Sequence, residues 1–157
     1  EDLISSTFIY WHEKIDVGKN PHFVSLEQDV ENFTKQNISP EKLAERLYQD
    51  SEVYLRNQIF DSFDDRRIEL AFHNEALRSP KLSQLLLCSW QKEVSRIVKL
   101  YQAIGNESPQ EDAEMTFALI LQLEKKAMLV QSKSELEFEF KKMRAIFKRH
   151  IYLMVGA

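Results

Sequence analysis

Three Ser-Pro pairs, Ser39-Pro40, Ser79-Pro80 and Ser108-Pro109, each stand directly before a stretch whose apolar residues recur at spacings of three and four. A serine at a helix N-cap accepts a hydrogen bond from an open N–H of the first turn. Proline at the next position gives up nothing, because that N–H has no intrahelical partner. Each pair is therefore predicted to begin a helix rather than a loop. Glu111, three residues after Ser108, completes a capping box, and Ser25 with Gln28 and Ser132 with Glu135 repeat the box without proline. The segments behind the three pairs share only the cap, which argues against an internal repeat. A phosphorylation site is the other reading of Ser-Pro, and it rests on the dipeptide alone.

The apolar stripes extend these starts into a succession of helices. Residues 1–17 place Ile4, Phe8, Trp11 and Ile15 on one face, and Gly18, Asn20 and Pro21 are predicted to end that helix. Residues 25–37 read as a short polar helix. From Pro40 to about Phe63 the stripe is Leu43, Leu47, Tyr48, Tyr54, Leu55 and Ile59. From Asp64 to about Arg78, Ile68, Ala71, Phe72 and Ala76 are predicted to face inward, with Asp64 and Asp65 suited to the positive N-terminal end. After Ser79 come Leu82, Leu86, Trp90, Val94, Ile97 and Tyr101, closed by Gly105-Asn106. The stretch Met115 to Leu123 is apolar on nearly every side and is predicted to be buried on two faces. Three Gly and four Pro in 157 residues leave little for hairpins or long irregular loops. The expected fold is all-α, a single domain over 1–157 built as a bundle of about six to seven helices.

The last segment has the most regular pattern. Leu136, Phe140, Met143, Phe147, His150 and Met154 alternate spacings of four and three, a heptad seam that Ile146 and Leu153 widen. Two readings are open. The seam joins two copies, residues 109–131 and 133–155 pairing into a four-helix bundle, or both faces pack within one chain. The first is preferred, which makes Leu136, Phe140, Met143, Phe147 and Met154 the candidate dimer interface.

Catalytic and metal signatures are missing. His12, His22, His73 and His150 are scattered, and there is no HExxH, no CxxC, no phosphate-binding glycine loop and no GxSxG. Glu69 and His73 are four apart on a helix face, a pair too common to define a metal site. The single Cys88 excludes an internal disulfide and reads as a buried core thiol. The basic run Lys141–His150 reads as the solvated face of the last helix. A net charge of −4 argues against tight nucleic-acid binding by this chain itself. No apolar run is long enough to span a bilayer and no signal peptide opens the chain, so a cytoplasmic protein that is not an enzyme, needs no cofactor and has no membrane partner is expected.

Several aromatics, all but Phe72 with a polar end, are spread over the helices: Trp11, His12, Tyr48, Tyr54, Phe72, His73, Trp90 and Tyr101. Where helices converge without closing fully, such side chains line an apolar cavity with a few orienting groups. A partly exposed surface histidine is the competing reading of His73.

The stretch IELAFHNEALRSPKLSQLLLCSWQKEVSRIV, with Glu75-Ala76-Leu77, then Arg78-Ser79-Pro80-Lys81-Leu82, then a long helix carrying Trp90 to Arg96, resembles the C-terminal region of tetracycline-repressor (TetR) family transcriptional regulators. The opening EDLISSTFIYWHEKI is similar to that family's segment just after its helix-turn-helix, so the chain looks like a regulator lacking its DNA-binding headpiece. The resemblance implies a homodimer formed through the last two helices, a small apolar or amphipathic effector held between the helices, and residues 1–17 as the link to the headpiece. Contact with DNA would come only through that missing N-terminal domain. The candidate effector contacts are Phe8, Trp11, Tyr48, Phe72, His73, Trp90 and Phe117. The alternative is a helical protein–protein interaction scaffold with no small-molecule ligand.

Overall fold

The computed structural model describes residues 2–14 and 21–157, and the elements among them are all helical. They are α1 (Asp2–Lys14), α2 (Pro21–Gln36), α3 (Pro40–Arg56), α4 (Phe63–Ala76), α5 (Pro80–Ala103), α6 (Pro109–Met128) and α7 (Lys133–Val155), with a π-helical turn, Asn57–Asp61, between α3 and α4. All three Ser-Pro pairs sit at helix starts. Ser39 Oγ accepts from the Lys42 N–H and Ser79 Oγ from the Leu82 N–H. Ser108 occupies the N-cap position without a side-chain cap, and its own N–H donates instead to Asn106 Oδ1 at 2.8 Å. The box expected with Glu111 is therefore not formed. Ser132 caps α7 through the Glu135 N–H, but the Glu135 carboxylate turns back to the Gln131 N–H, one residue beyond the N-cap. Ser25 is no cap. α2 begins at Pro21, and the Ser25 hydroxyl inside it donates to Asp50 on α3. Ile15, Gly18 and Asn20 lie outside the described residues.

Helix ends follow local chemistry as well. Gly105 takes a left-handed φ of 77° after α5, which lets the Asn106 N–H reach the Tyr101 carbonyl and close the helix. Asn37 is likewise left-handed after α2, with φ 51°.

The main core forms where α7 lies against α3. Leu43, Leu55, Ile59, Phe140 and Met143 are each at most 2% exposed. The heptad stripe of α7 is thus covered within one chain. Leu136, Phe140, Met143 and Phe147 are buried, and Met154 packs partly against a neighbouring cluster of Val94, Tyr101 and Ala113. This corrects the expected dimer seam: α3 presents an equally long apolar stripe, and an apolar face is satisfied by whichever partner covers it. Polar contacts flank the same junction. Arg144 pairs with Glu52 at 2.9 Å and donates to Tyr48 Oη, Lys148 meets Glu45 at 3.2 Å, and Tyr152 Oη donates to Glu45 at 2.7 Å. The basic run is therefore not simply a solvated face. Half-exposed pairs of this kind add little stability; their role here is to fix which turns of α3 and α7 meet.

Two further expectations are overturned by helix orientation. On α4, Ile68 and Ala71 point to solvent, while Arg66 and Ala76 are buried. The π turn, closed by Ser62 N–H to the Asn57 carbonyl at 3.0 Å, and the break at Ser62 reset the helix rotation, so the α3 stripe does not continue onto α4. On α5, Ser89 rather than Cys88 faces inward, and the thiol is exposed. On α1 the inward positions are Ser5 and Phe8, and Ile4 is 38% exposed. α6 is also less enclosed than its composition suggests, with Met115 58% exposed.

Truncating Phe140 to Ala should lower unfolding stability by about 3–5 kcal/mol, read from the denaturant midpoint. Because Phe140 is satisfied within its own chain, the solution mass of the variant should equal that of the wild type.

Candidate ligand cavity

A cavity of about 140 Å³ lies where the seven helices converge. An apolar cavity of roughly 150 Å³ is large enough to admit benzene, so there is room here for a one-ring molecule. Every helix contributes: His12 from α1, Leu26 and Val30 from α2, Tyr54 from α3, Arg66 and Glu69 from α4, a run from Ser89 to Ile104 on α5, Thr116 to Glu124 on α6, and Phe147 to Val155 on α7. Most of the wall is aliphatic or aromatic. Besides the His12–Ser89 pair, polar groups gather at two places, and the two differ in how well they are satisfied.

The first is centred on Thr116. Its hydroxyl donates to the Asp112 carbonyl at 2.7 Å, one turn back on α6. Its only hydrogen being used there, the oxygen accepts from Tyr101 Oη and from His150 Nε2, both at 2.6 Å. His150 must therefore carry its proton on Nε2. Burial pushes the His150 pKa down, which keeps the ring neutral, and burial pushes Tyr101 up to about 12. The three side chains satisfy one another and tie α5, α6 and α7 together at this end of the cavity.

The second is centred on Arg66, which α4 buries to 8% exposure. One guanidinium nitrogen pairs with Glu69 Oε2 at 2.5 Å, and Arg66 Nε is buried without a partner. Glu124, on α6 and also 8% exposed, faces the same pair. Neither a hydrogen bond nor an ion pair closes on it among the described residues. Burial, with the Glu69 carboxylate added to it, pushes the Glu124 pKa up to about 7, against an opposing pull from Arg66. Burial raises Glu69 as well. Tyr54 is raised too, by burial first and then by the Glu124 charge. Glu93, the third carboxylate on the wall, is paired with Arg96 on its own helix at 3.1 Å. Among the described residues of the wall, Arg66 thus faces two carboxylates, the buried Glu124 and the partly buried Glu69, with the exposed Lys125 at the edge of the adjoining recess.

Of the expected effector contacts, Trp90 and Phe117 line the cavity, their rings 6.0 Å apart and tilted steeply. Trp90 Nε1 is buried without a partner. The other five lie elsewhere. Tyr48 is on the α3–α7 junction. Phe8, Trp11 and Phe72 form an aromatic cluster that seats α1, with Phe8 and Phe72 edge to face at 5.2 Å and Trp11 and Phe72 at 5.6 Å. Phe8 is 3% exposed and packs with Ala76, Leu82 and Leu86, so it belongs to the core under α1. His73 lines a smaller adjoining recess with Arg66, Glu69 and Glu124, its ring edge to face with Trp90 at 5.3 Å. Burial pulls its pKa down to about 4, so the 3.9 Å approach to Glu69 is not an ion pair at neutral pH. Two residues expected at a dimer seam, Phe147 and Met154, instead form cavity wall.

Sequence reasoning missed the Arg66–Glu69–Glu124 group. Arg66 and Glu69 are three apart, the spacing of an ordinary surface pair, and nothing local marks them as inward. No set of three His, Cys, Asp or Glu side chains among the described residues is arranged to hold a metal ion, and no helix there is long and apolar enough to cross a membrane. Compared with known proteins, the chain matches no family model and no curated protein.

The elevated Glu124 pKa has a measurable consequence. An acid protonated more readily in the folded than in the unfolded state costs stability as pH rises from its ordinary 4.5 through about 7. Glu124→Gln, which mimics the protonated form, should be more stable than wild type at pH 8. The difference should vanish below about pH 4.5 in paired denaturation curves.

Proposed function

We infer that the chain is the effector-sensing, homodimerising body of a TetR-like transcriptional regulator whose DNA-binding headpiece is absent from this sequence. The observation that carries the reading is that the cavity has walls from every helix, including α1. His12 of α1 lines it and hydrogen-bonds to Ser89 on α5. A molecule filling the cavity therefore bears on the helix that would join the headpiece. An effector acts only if it binds one arrangement of the body better than another, and a coupling of about 1–3 kcal/mol alters affinity at a second site roughly 5- to 150-fold. Two headpieces reading half-sites about 34 Å apart are sensitive to a modest tilt of the helices that carry them.

The dimer face is assigned to the outward flank of the α6–α7 pair, not to the buried heptad stripe. Met115 on α6 and Ile146 and Leu153 on α7 are 58%, 45% and 60% exposed. The helices are joined side by side through Thr116 and His150, and Lys126 acts on Glu139 across the pair. Apolar residues with a charged border suit a second copy of the same face, which would complete a four-helix bundle. The same exposed residues also suit a different protein, which is the scaffold reading.

Light scattering separates the two. The wild type should have the mass of a dimer, and Ile146→Glu with Leu153→Glu should give a folded monomer, since both side chains already face solvent. A wild-type monomer would favour the scaffold. In the intact regulator, Ile120→Trp, which fills the cavity, should leave operator binding in place and abolish its response to effector, measured by fluorescence anisotropy of labelled operator DNA.

A further inference from the structure

The two polar groupings of the cavity differ in one respect that bears on its ligand. The Thr116 group is closed on itself, with both hydroxyls and His150 Nε2 used. The Arg66 group is incomplete. Glu124 is more than nine-tenths buried, lines the cavity and has no hydrogen-bonding or ion-pair partner among the described residues. An unpaired carboxylate in such a place costs far more than a paired one. Its neighbours do not neutralise it. From α4 come Arg66, already held by Glu69, and His73, which is neutral; from α3 comes Tyr54, also neutral; from α5 comes Glu93 with its own Arg96. Lys125 of α6 lines the adjoining recess beside Glu69 and Glu124, but it is exposed to solvent and forms no ion pair with either carboxylate among the described residues. α7 brings apolar side chains to the cavity wall, Phe147, Ile151, Met154 and Val155, and its His150 is neutral and bonded to Thr116. With Glu69 and Glu124 both ionised, the group carries one negative charge too many.

We propose that the cavity selects a small apolar molecule with a single positive charge, a protonated amine, whose ammonium group sits between Glu69 and Glu124 and whose body lies against Trp90, Phe117 and Ile120. This rests on the cavity being an effector site. A carboxylate ligand fits less well: it would meet Arg66 Nε but add a third negative charge to the same buried cluster. The indole face of Trp90 adds a favourable surface for a cation. Below about pH 7, a proton on Glu124 relieves the excess charge in the absence of ligand. There, binding the ammonium ion displaces that proton to solvent, so one cation enters as one proton leaves; at pH 8 the ammonium ion meets a carboxylate already ionised.

The probes are three molecules of similar shape and different charge: 2-phenylethylamine, protonated throughout the range used, 2-phenylethanol and 3-phenylpropanoate. Binding to the full chain is measured by calorimetry between pH 6 and pH 8. The amine should bind at least ten times more tightly than the alcohol at pH 8. Its affinity should rise about tenfold from pH 6 to pH 8, as Glu124 with its pKa near 7 goes from about one-tenth to nine-tenths ionised. The alcohol should show no such rise. Proton release should appear as a binding heat at pH 6 that depends on the ionisation enthalpy of the buffer. Glu124→Gln, its fold checked by circular dichroism and thermal melting, should erase the preference for the amine over the alcohol and the pH dependence of amine binding. Binding of the alcohol or the carboxylate as tight as that of the amine, or a preference that survives in Glu124→Gln, overturns the proposal and leaves the cavity an effector site of other selectivity. If none of the three binds, the effector reading itself fails.

Discussion

The apolar stripe of α7 against the matching stripe of α3 is the contact on which the other helices depend. Phe140, Met143 and Phe147 from one side meet Leu43, Leu47 and Leu55 from the other. α2 adds Leu26 and Val30 to the same core, and α6 adds Leu123 and Ala127. With those two helices joined, α5 and α6 close around the opposite flank, but not completely. The wall they leave, together with Phe147 and Ile151 on the inward edge of α7, is the wall of the cavity. Phe147 and Ile151 thus belong to the core and to the cavity wall at once.

The cavity persists because its polar groups resist collapse. Full closure over Arg66, Glu69 and Glu124 would put three ionisable groups into a dry interior with one ion pair among them, at a desolvation cost of several kcal/mol per unpaired ion. The aromatic neighbours add stiffness: Trp90 is edge to face with His73 on one side and packs on Phe117 on the other. On the same helix as His73, Phe72 holds Phe8 and Trp11 of α1, and the Arg66 guanidinium itself lies 6.0 Å from the centre of the Trp11 ring. A shift of α4 driven by charge in the cavity would reach α1 through this packed chain of rings.

Helix starts and ends were legible in the sequence because they depend on chemistry within a few residues. Ser39, Ser79 and Ser132 cap the helices they were expected to cap, and Gly105 closes α5. Ser25 failed the same test, since a capping-box pattern is only a statistical signal and Pro21 had already opened the helix. The face each helix buries was legible where one apolar stripe was continuous, as on α3 and α5. It failed on α4, where the π turn at Asn57–Asp61 and the break at Ser62 intervene. It failed in a different way for Tyr48, Phe8 and Phe72: their bulk was recognised, but whether an aromatic fills a core or borders a void depends on what lies opposite.

The order, the number and most of the boundaries of the helices are properties of the chain read residue by residue, because caps, breakers and stripe spacing act over one or two turns. The inward turn of Arg66 and Glu69, the meeting of Glu124 with them from a helix some fifty residues away in sequence, and the covering of α7 by α3 were decided only by tertiary packing. Those outcomes depend on rotation about helix axes and on which of several compatible apolar faces come together, and neither leaves a local trace.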